Sequence, residues 1–378
     1  MNNTFIYGLP TSIDNAPMMG EKELDAAVGG NTGNLAFCYA LSRHLGGNIP
    51  TKSWLEQASG FFNEKYTGVL TLANQLGSHA DLGYFSDALE KHTAKLVGIG
   101  LGAQTSIGGS VDIPEGTQRW LKTLMNRAPG EGPNIGLRGA FTLSALEKYG
   151  LAERATVLGC PTLFLSDNPN LGAQIKKNAK KKFNRIAVTA GHYKWKHLSK
   201  LEASLAALLT HNHDYIIQSP MPMITFGRGN DIVINESEIT EIRDYCRPHM
   251  DLKEFNDWRL DHAVSFFSAP AWMEHLRRFD FVIGVRIHGV MLALQMGLPA
   301  ICIVHDSRTK ELCETMMIPH IEANKIHEGI NREQLHEIFE FDEKQFDENR
   351  HMLAKKYVDF LNGNKIQFVS YLNKLAGY

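Results

Sequence analysis

The sequence predicts two doubly wound α/β domains with a cleft between them. Three observations carry that reading. Strand-like and helix-like segments alternate through both halves of the chain, the pattern of parallel sheets covered by helices. A lysine-rich break, KKNAKKKFNR (residues 176–185), separates the halves. The stretch DFVIGVRIHGVMLALQMGLPAICIVHDSRTK (280–310) reads as strand, polar loop, apolar helix, strand and second polar loop. Strands joined by a helix are normally parallel and usually neighbours. Both loops therefore face the sheet edge where open α/β sheets bind ligands.

In the first half, FIYGLP (5–10) reads as the first strand, followed by a long loop ending in GGNTGN (29–34). LAFCYALSRHLGG is a helix closed by Gly46 and Gly47. GVLTLANQL (68–76) is a strand running into a polar tip, and AKLVGIGLGAQ (94–104) a strand with a glycine-rich exit. Residues 112–128 form a helix with Pro114 near its first turn and apolar Trp120, Leu121, Leu124 and Met125 at helical spacing. NIGLRG (134–139) is a strand, AFTLSALEKYG a helix, and TVLGCPTLF (156–164) closes this half. In the second half, RIAVTAG (185–191) and DYIIQSP (214–220) are strands around the helix KHLSKLEASLAALLTHN. A polar region, the helix around PAWMEHLRRF and the 280–310 unit follow. From about Glu333 the chain is helical and charged. The expected division is 1–178, 179–340 and a helical tail, 341–378, with the boundary near 172–184.

Composition excludes several classes. The chain has 378 residues, 43% hydrophobic and 21% charged, with a formal net charge of −2 and a pI near 6.8. That balance gives no nucleic-acid or membrane-surface signal, and the lysine run reads as a linker or helix end. The cysteines, Cys38, Cys160, Cys246, Cys302 and Cys313, are odd in number and never in CxxC spacing. Reduced thiols and a cytoplasmic location are expected. No leader pattern and no membrane-span-length apolar run is seen. Oligomeric state is not readable.

The site-bearing motifs lie at strand ends. In GVRIHG, Arg286 offers a planar fork for carboxylate or phosphate, and His288 can donate a proton near neutral pH. The same loop opens a helix, so the free N–H groups around Gly289 and the helix dipole favour an anion. In HDSRTKEL (305–312), Arg308 and Lys310 add cations, while Asp306 or Ser307 can cap the following helix. His305 and Asp306 are too few for a metal site. Arg138 ends a strand of the other half and can face the same cleft. Asn31 either contacts a ligand or caps the next helix. GIGLGA (98–103) matches a dinucleotide pattern, but no helix follows at once, so close strand packing explains it better. HNH (211–213) reads as a solvated helix end, and VMLALQM as core.

These motifs together resemble the polysaccharide pyruvyl transferase family. The matching segments are Asn31 to Gly33, GIGLGAQ, GLRGAFTLSALEKYG, GCPTLFL, FDFVIGVRIHGVMLALQMGLPAICI and DSRTKEL. The resemblance implies two Rossmann-like domains in a GT-B-like arrangement, with the acceptor on the first. It implies transfer of a pyruvyl group from phosphoenolpyruvate to two sugar hydroxyls, giving a cyclic ketal. The acceptor is then a sugar, glycan or lipid-linked glycan, and no cofactor or metal is needed. By position, Asn31, Arg138, Arg286, His288 and Arg308 become donor-site residues. This chain departs from the family at Asn34, where aspartate is usual, at Ala73–Gln75, where glycines are usual, and at Arg308, where lysine is common. The competing readings are a GT-B glycosyltransferase or nucleotide-sugar epimerase, which would bind a nucleotide diphosphate, and a non-catalytic relative.

Overall fold

The computed structural model describes residues 3–53, 60–105, 108–229 and 234–378. The first half builds a parallel sheet from β1 (Thr4–Tyr7), β2 (Thr51–Lys52), β3 (Thr67–Thr71), β4 (Lys95–Leu101), β5 (Ile135–Leu137) and β6 (Ala155–Val157). Its order is β2-β1-β3-β4-β5-β6. The second half builds another from β7 (Ile186–Thr189), β8 (Asp214–Ile216), β9 (Ala263–Val264), β10 (Phe281–Gly284), β11 (Ala300–Val304) and β12 (His320–Glu322). Its order is β12-β11-β10-β7-β8-β9. Read from the other edge, that is the Rossmann order 3-2-1-4-5-6. Among the described residues, every pairing between these strands is parallel. The α/β, doubly wound reading is therefore what the chain adopts.

Continuous apolar runs make these strands, because helices cover both faces of each sheet. AICIV in β11 is buried at all positions, and so is FVIG in β10. The helix Ile287–Gln295 is core, as its apolar run suggests: Val290 to Leu294 are all buried. The glycines of GIGLGA serve close packing. A Cβ on Gly98 would stand 2.5 Å from Leu72 Cδ1, and one on Gly102 would stand 2.8 Å from Arg138 Cδ. All five cysteines are buried and unpaired.

Chain order reverses at two places. In the first sheet it reverses between β1 and β3, in the second between β7 and β10. Such switch points open crevices at the carboxyl ends of strands, and ligands bind there. The loops after β3, β7 and β10 carry Asn74, Trp195 and Arg286, respectively, and His288 follows in the first turn of the next helix.

Two expectations are corrected, and two regions that the sequence left without detail are filled in. The stretch before GGNTGN is not all loop: Glu21–Val28 is a helix. The polar region before PAWMEHLRRF holds helices Met221–Gly227, Glu236–Cys246 and Leu252–His262. The last of these opens with a capping box, Asp251 to Glu254, which is legible in the sequence. The HNH end is only partly solvated: His213 is buried and its ring binds the carbonyl of Asn184. The charged tail is helical, as expected. Helix Glu343–Gly363 returns to the end of the first half, where Arg350 donates to the carbonyls of Leu163, Ser166 and Asn168. Asn364 donates to Pro133 O at 2.8 Å, and the Val369 amide to His44 O at 2.8 Å. Among the described residues, no helix is long and apolar enough to cross a membrane.

Candidate active site

Strand β10 delivers the first two site residues. Arg286 is the N-cap of helix Ile287–Gln295, and His288 lies in its first turn. The first N–H groups of a helix have no carbonyl partner within it, so this end is an anion-favouring surface. Arg286 is only 8% exposed. Its Nη2 donates to Ser219 Oγ at 2.8 Å, and its guanidinium lies 4.6 Å from the Trp195 ring centroid. Gly289 contributes no side chain to the cleft. Its missing Cβ faces Thr189 Cγ2 at 2.5 Å and Trp272 Cζ2 at 3.0 Å, so it lets the helix sit close on the core.

Strand β11 delivers the next residues. Asp306 caps helix Ser307–Met316, accepting from the Thr309 amide at 2.7 Å. Its other oxygen holds Arg308 at 3.2 Å. Burial pushes the Asp306 carboxyl up, but Arg308, His305 and the Thr309 bonds outweigh it and leave it below its ordinary value. Lys310 is not part of this group. Its Nζ donates to Glu322 Oε1 at 2.8 Å and lies 3.9 Å from Glu314.

The first half contributes Arg138 and the Asn31 loop. Arg138 follows β5, is 5% exposed, and donates from Nη1 to Asn74 Oδ1. Asn74 lies in the loop after β3, and its side chain orients an arginine. Gln75 Oε1 meanwhile accepts from the Ala73 amide, holding the loop. Asn31 precedes the N-cap, Thr32, and its Oδ1 accepts from the amide of Gly33, the first helical residue, at 2.8 Å. It is also near His288, because a Cβ on Gly33 would stand 3.0 Å from both Asn31 Oδ1 and His288 Nδ1. Asn34 ties the loop to the carbonyls of Val28 and Gly29.

The cations from both halves share one electrostatic neighbourhood. Burial lowers Arg138 to about 10, and the charge of Arg308 adds to that. Arg286 is lowered to about 10 by the same two causes. His288, only partly exposed, is pushed down to about 3, first by burial and then by Arg138, Arg308 and Arg286. The ring is therefore held in its neutral form near pH 7 in the free protein. Among the described residues, Nε of Arg138, Arg286 and Arg308 and Nε2 of His288 are buried without a hydrogen-bond partner. Desolvated donors of one sign are costly unless something anionic meets them. A cavity of about 200 Å³ reaches both Arg138 and His288, with Leu9, Phe37, Cys38 and Thr71 in its wall.

The sequence model described as polysaccharide pyruvyl transferase matches residues 31–307. The chain belongs to the polysaccharide pyruvyl transferase family. No curated protein matches it significantly. Among solved structures, it is similar to a putative UDP-N-acetylglucosamine 2-epimerase from Listeria monocytogenes, at 10% identity over 100% of this chain and 91% of that one, with a TM-score of 0.40. It is similar to S. aureus MnaA in a UDP co-structure, at 9% identity over 95% and 98%, with a TM-score of 0.43. It is also similar to a UDP-forming alpha,alpha-trehalose-phosphate synthase from Burkholderia vietnamiensis, at 10% identity over 82% and 67%, with a TM-score of 0.33. None of these likenesses bears on activity. The span matched by the pyruvyl transferase family begins at Asn31 and ends at Ser307, so it encloses Arg138, Arg286 and His288.

Sequence reasoning missed Ser219, Trp195, Asp306 as the partner of Arg308, and Asn74. Trp195 was findable. GHYKW directly follows the strand RIAVTA, and an aromatic cluster at a carboxyl strand end is a ligand-wall signal.

Proposed function

We propose that this pyruvyl transferase relative takes its pyruvyl group from phosphoenolpyruvate and delivers it to two hydroxyls of a glycan sugar as a cyclic ketal. One observation carries the proposal: three arginines from two domains and a neutral histidine converge with unmatched buried donors. Phosphoenolpyruvate has a carboxylate and a phosphate on one carbon. Arg138, Arg286 and Arg308, with the N-terminus of helix Ile287–Gln295, supply donors for both. Their charge does the neutralising that a divalent metal would otherwise do, so no cofactor enters the scheme.

The donor also resets His288. Two anionic groups oppose the field of the arginines, and the imidazole then takes up a proton. It delivers that proton either to the methylene carbon or to the departing phosphate. Protonation at the methylene makes the adjacent carbon electrophilic. One sugar hydroxyl adds there and its proton returns to the His288 imidazole; phosphate leaves with the C–O bonding pair, and the second hydroxyl closes the ring as its proton passes to the departing phosphate. A positioned acid contributes about 10²–10⁴-fold. The cavity beside His288 suits a three-carbon donor in size. A second cavity of about 290 Å³ shares Leu9 and Gln75 with it and lies in the first domain, which supports placing the acceptor there.

The test is incubation with phosphoenolpyruvate and a sugar panel, following phosphate release and the mass gain of one pyruvyl ketal. Calorimetric binding of the donor with and without a chelator checks the metal-free scheme. Loss of binding on chelation, or binding of a UDP-sugar in place of phosphoenolpyruvate, overturns it.

A further inference from the structure

We propose that Glu311 is a positioning residue whose carboxylate anchors the second domain to the helix after Arg138, and so sets where Arg138 stands against Arg286, His288 and Arg308. The inference rests on the anion-donor reading above and adds a residue outside the set that touches the donor.

Glu311 lies one turn beyond Ser307 on helix Ser307–Met316, the helix that carries Arg308. It is 4% exposed. Its Oε1 accepts from the Thr142 amide at 2.6 Å, and its Oε2 from Thr142 Oγ1 at 2.8 Å. Thr142 is the third residue of helix Ala140–Glu147, whose N-cap, Gly139, offers no capping side chain. A carboxylate from the other domain thus does what an N-cap side chain ordinarily does, at the positive end of the helix dipole. Thr142 Oγ1 in turn accepts from the Ala103 amide at 3.0 Å, which ties the anchor to the exit of β4.

Gly139 fits this role through space rather than flexibility. Its φ is −175°, an extended backbone open to any residue. A Cβ there would stand 2.3 Å from Glu311 Cγ and 2.5 Å from Thr315 Oγ1. A second hold lies one turn earlier, where Ser307 Oγ accepts from the Thr105 amide at 3.2 Å and donates to Thr105 O at 2.7 Å. Arg138 immediately precedes the anchored helix. Burying Glu311 raises its carboxyl, and the Thr142 bonds only partly offset this. An isolated buried carboxylate is an expensive way to glue two surfaces, for which an apolar contact would serve. What this one adds is a fixed distance, and a negative charge that favours the ionised form of Arg138.

The experiment is a double-mutant cycle on the full chain: wild type, Glu311→Ala, Arg138→Ala and the pair. Each is titrated calorimetrically with phosphoenolpyruvate and, separately, with inorganic phosphate. Amide exchange at Thr142 reports the anchor with no ligand present. The expected result is loss of Thr142 protection in Glu311→Ala and donor affinity weakened about tenfold, but less than about twofold when Arg138 is already gone. Glu311→Gln, which keeps an acceptor for the Thr142 amide, should restore affinity to within about threefold of wild type. If Glu311→Ala does not fold, Gly139→Ala carries the same cycle, because its methyl group displaces Glu311. Equal losses in both backgrounds, or unchanged protection at Thr142, overturn the inference while leaving the donor reading intact. If wild type binds phosphate but not phosphoenolpyruvate, the donor reading falls and the phosphate cycle decides the anchor. Binding of neither ligand removes the site that the anchor serves, and overturns both.

Discussion

Donor binding should load a proton onto His288, and that proton can be counted. In the free protein, burial and the charges of Arg138, Arg308 and Arg286 hold the ring at about 3. At pH 7 this leaves about one molecule in ten thousand protonated, with the imidazolium about 5 kcal/mol above the neutral ring. To act as an acid at that pH, His288 must recover about four pKa units when the donor's carboxylate and phosphate face the arginines. A rise in pKa on binding means proton uptake, so donor affinity should strengthen as pH falls toward neutrality from above. The assay is calorimetry at pH 7.0 in two non-phosphate buffers of different ionisation enthalpy, with His288→Gln as the control. The control removes any proton exchanged by the donor's own phosphate. Wild type should take up at least about half a proton more than His288→Gln. Equal uptake in the two proteins would mean His288 stays neutral in the complex. It would then be a hydrogen-bond donor only, and the acid would lie elsewhere.

Further outcomes are expected. Arg138→Ala should raise the phosphoenolpyruvate dissociation constant tenfold or more, about 1.4 kcal/mol, with weak salt dependence because the charge is buried. Lys310→Ala should change that constant less than about twofold, because its ammonium already pairs with Glu322 and Glu314; a loss as large as that of Arg138→Ala would place Lys310 in the site. His44 gives a stability test. It is buried and held at about 3 by burial, against 6.5 for an ordinary histidine. Above pH 6.5 both folded and unfolded states hold it neutral; below, only the unfolded chain gains the proton. Its part of the acid limb should thus cost about 1.4 kcal/mol per pH unit as pH falls from 6.5 toward 3. Denaturant melts of His44→Gln should show a limb shallower by about one proton. Gly289→Ala should cost about 1–3 kcal/mol of stability, because its methyl meets Thr189 and Trp272; an unchanged denaturation midpoint would show that this packing yields.

The two sheets were legible because parallel strands are continuous apolar runs, and RIAVT, FVIG and AICIV need no partner to be recognised. The edge strands β2, β9 and β12 were not, being two or three residues long and defined by their neighbours. Arg286 and His288 were readable as site residues from a local rule: a cation at a strand end before a helix. Glu311 was not, since a glutamate one turn into a polar helix looks solvated until Thr142 is folded against it. The lowered pKa of His288 was not legible for a related reason. A sequence gives a histidine its ordinary pKa, and only the assembled cleft brings three arginines to bear on it. Lys310 shows the converse, because adjacency to Arg308 along the helix does not make it point the same way.

The return of helix Glu343–Gly363 to the first half has a consequence for how the protein is made. Arg350 satisfies carbonyls at 163, 166 and 168, and Asn364 and Val369 reach Pro133 and His44. The first domain is thus assembled from two distant stretches of chain. During synthesis the second domain, built from 186–322, has all its strands before those late residues emerge. Domains usually mature in the order they leave the ribosome. Here the order inverts: the first domain to appear is the last to close.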